Sequence, residues 1–416
     1  MPEVTNLADR IEKQLPTKLV EFIQAGGLVA ANEGQSLYLV GGVVRDLLLE
    51  RTNLDLDLVV EGDAINMARR LADVEQAKLV IHPRFNTAKL QWGKWSVDLA
   101  SARSETYEKP GALPKVTPGS LESDLFRRDF TINAMAVSLD PHRYGELVDL
   151  YGGRGDLENK LVRILHNNSF IDDATRIWRG LRYEQRLDFR LEEDTLKLLK
   201  RNLSMLDTIS GDRIRHEVEL VLGEEFPEKA LRRAQELKVL SKLHPALKGD
   251  DWLADRFEQA RRLSSPGSPS IALYLALLTY RLDSEKNEQL ISRFNLPKAL
   301  AQTLRDTAGL KAQLGLLDSP GLTHSSLYRL LDGYSLPAVT ANLVACDSLV
   351  ACQRIQLFLD NLRHVRPLLT GKDLVRMGVA PGPRVKDLLR LLQDARLDGR
   401  ITTREGEEEM ARAWVE

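Results

Sequence analysis

Along the first 165 or so residues, short apolar runs alternate with polar positions or stop at glycine and proline. Leu37-Tyr38-Leu39-Val40, Leu54 to Val60 and Lys89 to Trp92 each read as strands. Gly93-Lys94, between Leu90-Gln91-Trp92 and Trp95 to Leu99, predicts a two-residue hairpin turn. Ala64, Ile65, Ala68 and Leu71 recur instead at helical spacing, so a small mixed sheet with a few packing helices is expected. From Asp172 onward the apolar positions step by three and four through Leu181, Leu196, Leu198, Leu199, Val218, Val221, Leu273 to Leu278 and Leu388 to Leu392, which predicts a nearly all-helical remainder. Breaks are expected at Leu243-His244-Pro245, Ser264 to Pro269, Ser319-Pro320-Gly321 and Ala380-Pro381-Gly382-Pro383. The fold class is α+β: a sheet-bearing head followed by an all-α neck, body and tail.

Composition narrows the setting. With 416 residues, 43% of them hydrophobic, the chain is long enough for several domains. Cys346 and Cys352 cannot build a disulfide framework, no Cys/His cluster has zinc spacing, and a reducing cytoplasm is the natural compartment. The start MPEVTNLADRIEKQL is amphipathic and charged, unlike a signal peptide. The longest apolar run, Ile271 to Tyr280, is too short to cross a bilayer, so no membrane role is expected. Lys and Arg number 58 against 60 Asp and Glu, so any nucleic-acid surface must be local. Between Asn361 and Arg400 nine Lys/Arg face four Asp/Glu; this suits RNA phosphates, and equally a solvated helix face.

Tyr38-Leu39-Val40-Gly41-Gly42-Val43-Val44-Arg45-Asp46 reads as a strand running through Gly-Gly into a helix. That places backbone N–H groups near an anion, with Arg45 able to grip a phosphate. Taken alone, Gly-Gly before a helix also serves as a tight turn, and no Gly-Lys-Ser/Thr of a Walker loop follows. Asp55 and Asp57, two apart in a β-rich run, would point to one face while Leu54, Leu56 and Leu58 point to the other. Such paired carboxylates suit magnesium completed by substrate phosphates; an acidic edge strand is the alternative. Asp98, on a neighbouring strand, is a candidate third carboxylate.

These runs, with Arg127-Arg128-Asp129-Phe130-Thr131-Ile132-Asn133-Ala134, Asp149 to Leu157, Asp172-Asp173-Ala174-Thr175-Arg176 and Ser210 to Glu217, resemble the class II tRNA nucleotidyltransferases. That family comprises the CCA-adding enzymes and bacterial poly(A) polymerases within the DNA polymerase beta superfamily. The motifs occur in the family's order over residues 38–217, and Gly371 to Arg400 is similar to the C-terminal part of bacterial members. The resemblance implies a catalytic head at 1–165, a neck carrying a nucleobase template at 166–235, a body at 236–335 and a tRNA-binding tail at 336–416. It implies that Gly41, Gly42 and Arg45 hold the triphosphate, that Asp55 and Asp57 are catalytic and bind Mg2+, and that Arg128 and Asp129 contact phosphate or ribose. Asp173 and Arg176 would hydrogen-bond the incoming base, with Arg179 and Arg182 continuing the site.

The template has a physical logic. Cytosine and adenine each present an amino donor beside a ring-nitrogen acceptor, which a carboxylate and a guanidinium match; uracil and guanine put a carbonyl where the amino group would be. Arg176, Arg179, Arg182 and Arg186 fall within about a third of the helical circumference. The family's Glu-Asp-Pro is here Asp172-Asp173-Ala174, and its Ser-x-Glu-Arg is Ser210-Gly211-Asp212-Arg213. Each acidic change keeps the charge, so capping or supporting roles should survive. Residues Arg103 to Leu121 are expected to form a mobile loop over the site or an ordinary connection. In the family an element here is associated with adding the final A, and it is not obviously shortened in this chain. The expected activity is template-independent addition of C and A to tRNA 3′ ends from CTP and ATP. The alternatives are A addition alone, poly(A) synthesis, and an inactive RNA-binding protein. No oligomeric state follows.

Overall fold

The structure, a computed structural model, describes residues 5–415. Its strands are β1 Ser36–Val40, β2 Leu56–Glu61, β3 Lys78–His82, β4 Thr87–Trp92, β5 Trp95–Ser101, β6 Arg103–Thr106, β7 Lys115–Pro118, β8 Ala136–Ser138, β9 Leu147–Val148, β10 Leu161–Val162 and β11 Arg190–Leu191. The first ten helices are α1 Ala8–Gln14, α2 Thr17–Asn32, α3 Gly42–Leu48, α4 Ala64–Glu75, α5 Leu121–Phe126, α6 Gly153–Glu158, α7 Ser169–Asp172, α8 Thr175–Leu187, α9 Glu193–Arg201 and α10 Gly211–Leu222. The expected α+β class is what the chain adopts.

Seven strands make one mixed sheet in the order β3-β4-β5-β2-β1-β8-β9. Neighbours are antiparallel except β2 and β5. Trp92 and Trp95 pair across the expected Gly93-Lys94 turn. One face is covered by α2 and α4, where Leu37 of β1 and Leu71 of α4 meet at Gly26; a Cβ there would lie 3.1 Å from Leu37. Asp63 caps α4 by accepting from the Ile65 and Asn66 amides, and the helix buries Ala64, Met67, Ala68 and Leu71. Strand alternation sends Leu56, Leu58 and Val60 to one face and Asp57 and Val59 to the other. There Val59 joins Val40, Leu121, Leu125 and Ala136 in an apolar cluster.

The chain divides into two compact units. One runs to Val221 and includes Glu236–Lys242; the other holds Leu222–Gln235 and everything from Leu243 on. The second unit is helical. Leu310, Leu327 and Leu331 share a core with Val339, Ile355 and Phe358, while Leu369, Leu374, Leu388, Leu392 and Ala411 form another. Glu407, fully buried, clips this second group together by accepting from the Leu368 and Leu369 amides and from Arg396. The expected breaks all fall between helices.

Two departures matter. Beyond Asp172 one short strand, β11, pairs in parallel with β10. The stretch expected as a loop, Arg103 to Leu121, is instead a two-stranded ribbon, β6 with β7. Ser104 pairs with Thr117 and Glu105 with Val116 in a ladder that the glycines and prolines of the turn obscured. Cys346 and Cys352 are paired with each other. Among the described residues no helix is long and apolar enough to cross a membrane.

Candidate active site

β1 ends where Gly41 takes φ 76°, a turn that an L side chain resists. A Cβ at Gly41 would stand 2.9 Å from Arg128 Nη1 and 3.6 Å from Asp57 Oδ2, so the glycine also makes room for these two side chains. The following helix, α3, presents Arg45, whose guanidinium is fully engaged rather than open. Nε and Nη2 donate to the two Asp46 oxygens at 2.8 Å, and Nη1 donates to Asn133 Oδ1 at 2.8 Å. The Tyr183 ring lies 5.3 Å away. Arg45 is 3% exposed, so it props the cleft wall more than it offers a free charge.

β2 starts at Leu56, two residues later than the run of alternating residues suggested. Asp55 therefore precedes the strand, in a turn where its amide donates to Asn53 Oδ1. Asp57 lies within β2, beside Asp98 in the parallel register with β5. Burial pushes the Asp57 carboxyl up to about 6; Asp55 and Asp98 push the same way, and Arg128 and Lys89 pull against them. Asp98 is thus the neighbouring carboxylate that the sequence suggested, and it is paired with Lys89 of β4 at 2.9 Å. Among the described residues no three His, Cys, Asp or Glu side chains converge to hold a metal ion by themselves.

Just after the short helix α5 the chain delivers Arg127, Arg128 and Asp129. Asp124, which the sequence reading passed over, has a fully buried carboxylate that receives Arg127 Nε and Nη2 at 2.9 and 2.7 Å and Arg128 Nη2 at 2.9 Å. Burial opposes that charge, but the two guanidinium groups outweigh it and hold the carboxyl below its usual range. Asp129 behaves alike: burial opposes ionisation, and Arg179, Asn133 and Arg176 overcome it. Arg179 grips Asp129 Oδ2 through Nε and Nη2 at 2.8 and 2.6 Å.

The α7–α8 junction carries Asp173 and Arg176. Their side chains are not bonded to each other; each is braced from behind. Asp173 Oδ1 accepts from the Thr175 amide and hydroxyl, and Oδ2 accepts from Arg213 at 2.8 Å. Arg176 donates to Ser169 Oγ at 2.7 Å and to the Arg127 carbonyl at 2.6 Å. The Ser210 to Glu217 stretch thereby reaches Asp173 through Arg213, while Asp212 pairs with Arg215 at 2.9 Å. Asp149 caps α6 by accepting from Gly153 and Arg154, and Asp156 accepts from Thr131. That motif supports the Arg-Arg-Asp segment from outside the cleft.

Gly41, Gly42, Arg45, Asp55, Asp57, Arg128, Asp129, Asp173, Arg176 and Arg179 all line one cleft of about 940 Å³ within the volume range of small-ligand sites. Arg182 does not line it. At about 100° per residue, Arg182 sits roughly 120° around the helix from Arg176, whereas Tyr183 lies within about 20° of it and Arg186 within about 80°. Arg182 is instead buried over the Tyr183 ring, and Tyr183 and Arg186 line the cleft. The ribbon adds Glu105 and Tyr107. Glu105 accepts from Arg127 Nη1 at 3.1 Å and from the Tyr107 hydroxyl at 3.0 Å. At the ribbon's tip a Cβ on Gly111 would meet the Thr208 carbonyl at 2.5 Å, so the turn leans on the 3-10 turn Leu203–Thr208 beyond α9. These contributions were hidden because they arise from residues far apart in sequence with no motif of their own.

The assembled cleft has a carboxylate end and an arginine-rich end on a mixed sheet, the arrangement of a nucleotidyltransferase. Comparisons agree. Residues 37–163 match the family described as the poly A polymerase head domain, and residues 188–250 match the probable RNA and SrmB-binding site of polymerase A. An A-adding tRNA nucleotidyltransferase of Halalkalibacterium halodurans is 33% identical over 98% of this chain and 96% of its own length. One of Geobacter sulfurreducens is 34% identical over 98% of this chain, which spans only 48% of that relative. Other relatives are named CC-adding tRNA nucleotidyltransferase and CCA-adding enzyme. The solved Thermotoga maritima CCA-adding enzyme complexed with tRNA superposes with a TM-score of 0.75 at 30% identity, covering 100% of both chains. The chain belongs to the tRNA nucleotidyltransferase family.

Proposed function

We propose that this protein extends the 3′ end of tRNA with C and A, using CTP and ATP and releasing pyrophosphate. The observation that supports this reading best is the single cleft with Asp55 and Asp57 at one end and Asp173 with Arg176 at the other. Asp55 and Asp57 would hold Mg2+ together with phosphate oxygens. Their oxygen-only donors, and the burial and neighbouring Asp55 that push Asp57 up, fit that ion. When bound it supplies Lewis-acid activation of the attacking ribose hydroxyl. Gly41 and Gly42 let the triphosphate approach the backbone, Arg128 faces it beside Asp57, and Asp129 holds Arg179 toward the nucleotide. Asp173 accepts from the amino group of C or A while Arg176 donates to the ring nitrogen. Catalysis is then positioning and charge neutralisation, with no covalent enzyme intermediate.

A second reading, addition of the terminal A alone, draws support from the names of the Halalkalibacterium and Geobacter relatives. Purified protein with magnesium is offered one tRNA ending at the discriminator base and one ending in CC, with each nucleotide separately and then together. Extension of the first by CTP plus ATP gives the full reading. Extension only of the CC-ended tRNA, by one A, gives the second. No extension of either refutes both.

A further inference from the structure

Beside the nucleotide cleft lies a smaller pocket of about 460 Å³ in the same unit, still within the range of ligand sites. Glu105, Tyr107, Arg127 and Arg176 line both cavities, so an occupant of one is a side chain's width from an occupant of the other. The remaining wall is unlike the cleft. Phe126, at the end of α5, is 44% exposed, a large apolar ring left open on a surface it could have avoided. The His166 ring stacks on it at 5.0 Å and 29°, and Tyr151 lies on it at 5.8 Å. Burial and the nearby Arg176 both keep His166 below its ordinary titration range, although Asp172 draws it upward, so the ring is a neutral flat surface at pH 7. Ser104, Ser123 and Asn168 supply hydrogen-bonding groups around this platform.

We infer that this pocket receives an unpaired nucleobase from the single-stranded 3′ end of the RNA being extended, stacked on Phe126 with Arg127 and Arg176 beside it. The inference rests on the proposed function and adds an RNA subsite to it. Three observations converge on that occupant. An exposed aromatic ring backed by a second ring is the feature that binds bases irrespective of sequence. The guanidinium groups at its edge suit the phosphates that accompany a base. Direct continuity with the nucleotide cleft places the occupant where the growing end must lie.

The test uses the full-length protein and a tRNA carrying 2-aminopurine, a fluorescent adenine analogue, as its terminal base. Wild-type protein should quench the fluorophore by stacking. Phe126→Ala should abolish the quench and raise the KM for tRNA roughly 5- to 150-fold, the range given by losing one base–aromatic stack. The kcat at saturating tRNA and the KM for ATP should stay unchanged, and Phe126→Trp should restore both RNA readouts. Because Phe126 is half exposed, its removal leaves the core intact. Wild-type KM and quench in Phe126→Ala, or a defect confined to ATP, overturn the inference while leaving the function standing. Failure of the wild-type protein to extend any tRNA would instead count against the function itself.

Discussion

Asp57→Asn should stabilise the metal-free protein, because the native fold holds this carboxylate where its charge is unwelcome. Burial is the largest cause, Arg128 opposes it, and Asp55 and Asp98 add to the rise while Lys89 subtracts a little; the carboxyl rises from 3.8 to about 6. A native pKa above the unfolded one means the fold prefers the protonated form. The cost of ionisation is therefore absent in acid, grows as pH rises from 3.8 toward 6 and is complete above pH 7. Two pKa units at 1.36 kcal/mol each set a ceiling of about 3 kcal/mol. Partial solvent access to the side chain lowers this toward about 2 kcal/mol. For a unit of this size the melting temperature should shift upward by about 4 to 10 °C. Calorimetry at pH 8 in the presence of EDTA should show the stabilised transition, and at pH 5 the gain should shrink to about half. Magnesium should then raise the melting point of the wild-type protein more than that of the variant. Equal wild-type and variant curves at pH 8, or a gain that grows as pH falls, would refute the assignment of strain to Asp57.

Gly41→Ala should cost about 1–2 kcal/mol of backbone strain from the positive φ. It should also lower nucleotide affinity, because the new methyl group displaces Arg128; circular-dichroism melts and ATP titration separate the two effects. Arg213→Met should leave the protein folded but release the Asp173 carboxylate, reducing kcat/KM for CTP and ATP at least about tenfold, the loss expected when one charge-assisted bond no longer fixes a reacting contact. Misincorporation of UTP and GTP, measured in the same assay, should rise relative to the correct nucleotides. Glu407→Ala should lower the stability of the helical unit by about 3–5 kcal/mol, since it strands Arg396 and two backbone amides in a buried site. Glu407→Gln should recover only part of that loss, and urea unfolding followed by Trp252 and Trp414 fluorescence reads both.

What the sequence revealed and what it concealed follow from the range of each interaction. The Gly93-Lys94 hairpin, α4 and the helices after Asp172 are local, so periodicity and turn residues were enough to find them. Asp57 and Asp98 become neighbours only through the parallel pairing of β2 with β5, yet alternation alone placed both on strands and made Asp98 a fair candidate. Arg182 shows the opposite case. It shares a spacing with its neighbours, but a helix drifts by some 20° over seven residues, and that drift puts Tyr183 rather than Arg182 over the cleft. The β6–β7 ribbon was unreadable for another reason: its strands are four residues each with only Val116 and Pro118 apolar, and the tip is held by contact with Thr208, about a hundred residues away in sequence.

The cations of the site are a further step. Arg45 is bound to Asp46, Arg128 to Asp124 and Arg179 to Asp129, each pair within 3 Å and mostly removed from solvent. A free guanidinium in this cleft would swing toward any phosphate; a guanidinium forked onto a buried carboxylate cannot. Under the proposed function the pairing would sacrifice attraction for a triphosphate at long range and gain fixed donors at short range, which is what positional catalysis requires. It also explains the placement of strain. Arg45, Arg128 and Arg179 each have a carboxylate close behind them and Arg176 is held by Ser169 and the Arg127 carbonyl, whereas Asp57 is raised by burial and by Asp55 and Asp98 against the pull of Arg128 and Lys89. A divalent ion at Asp57 would relieve a charge that burial disfavours, and the ion pairs of Arg45 and Arg179 keep those guanidinium groups from reaching it.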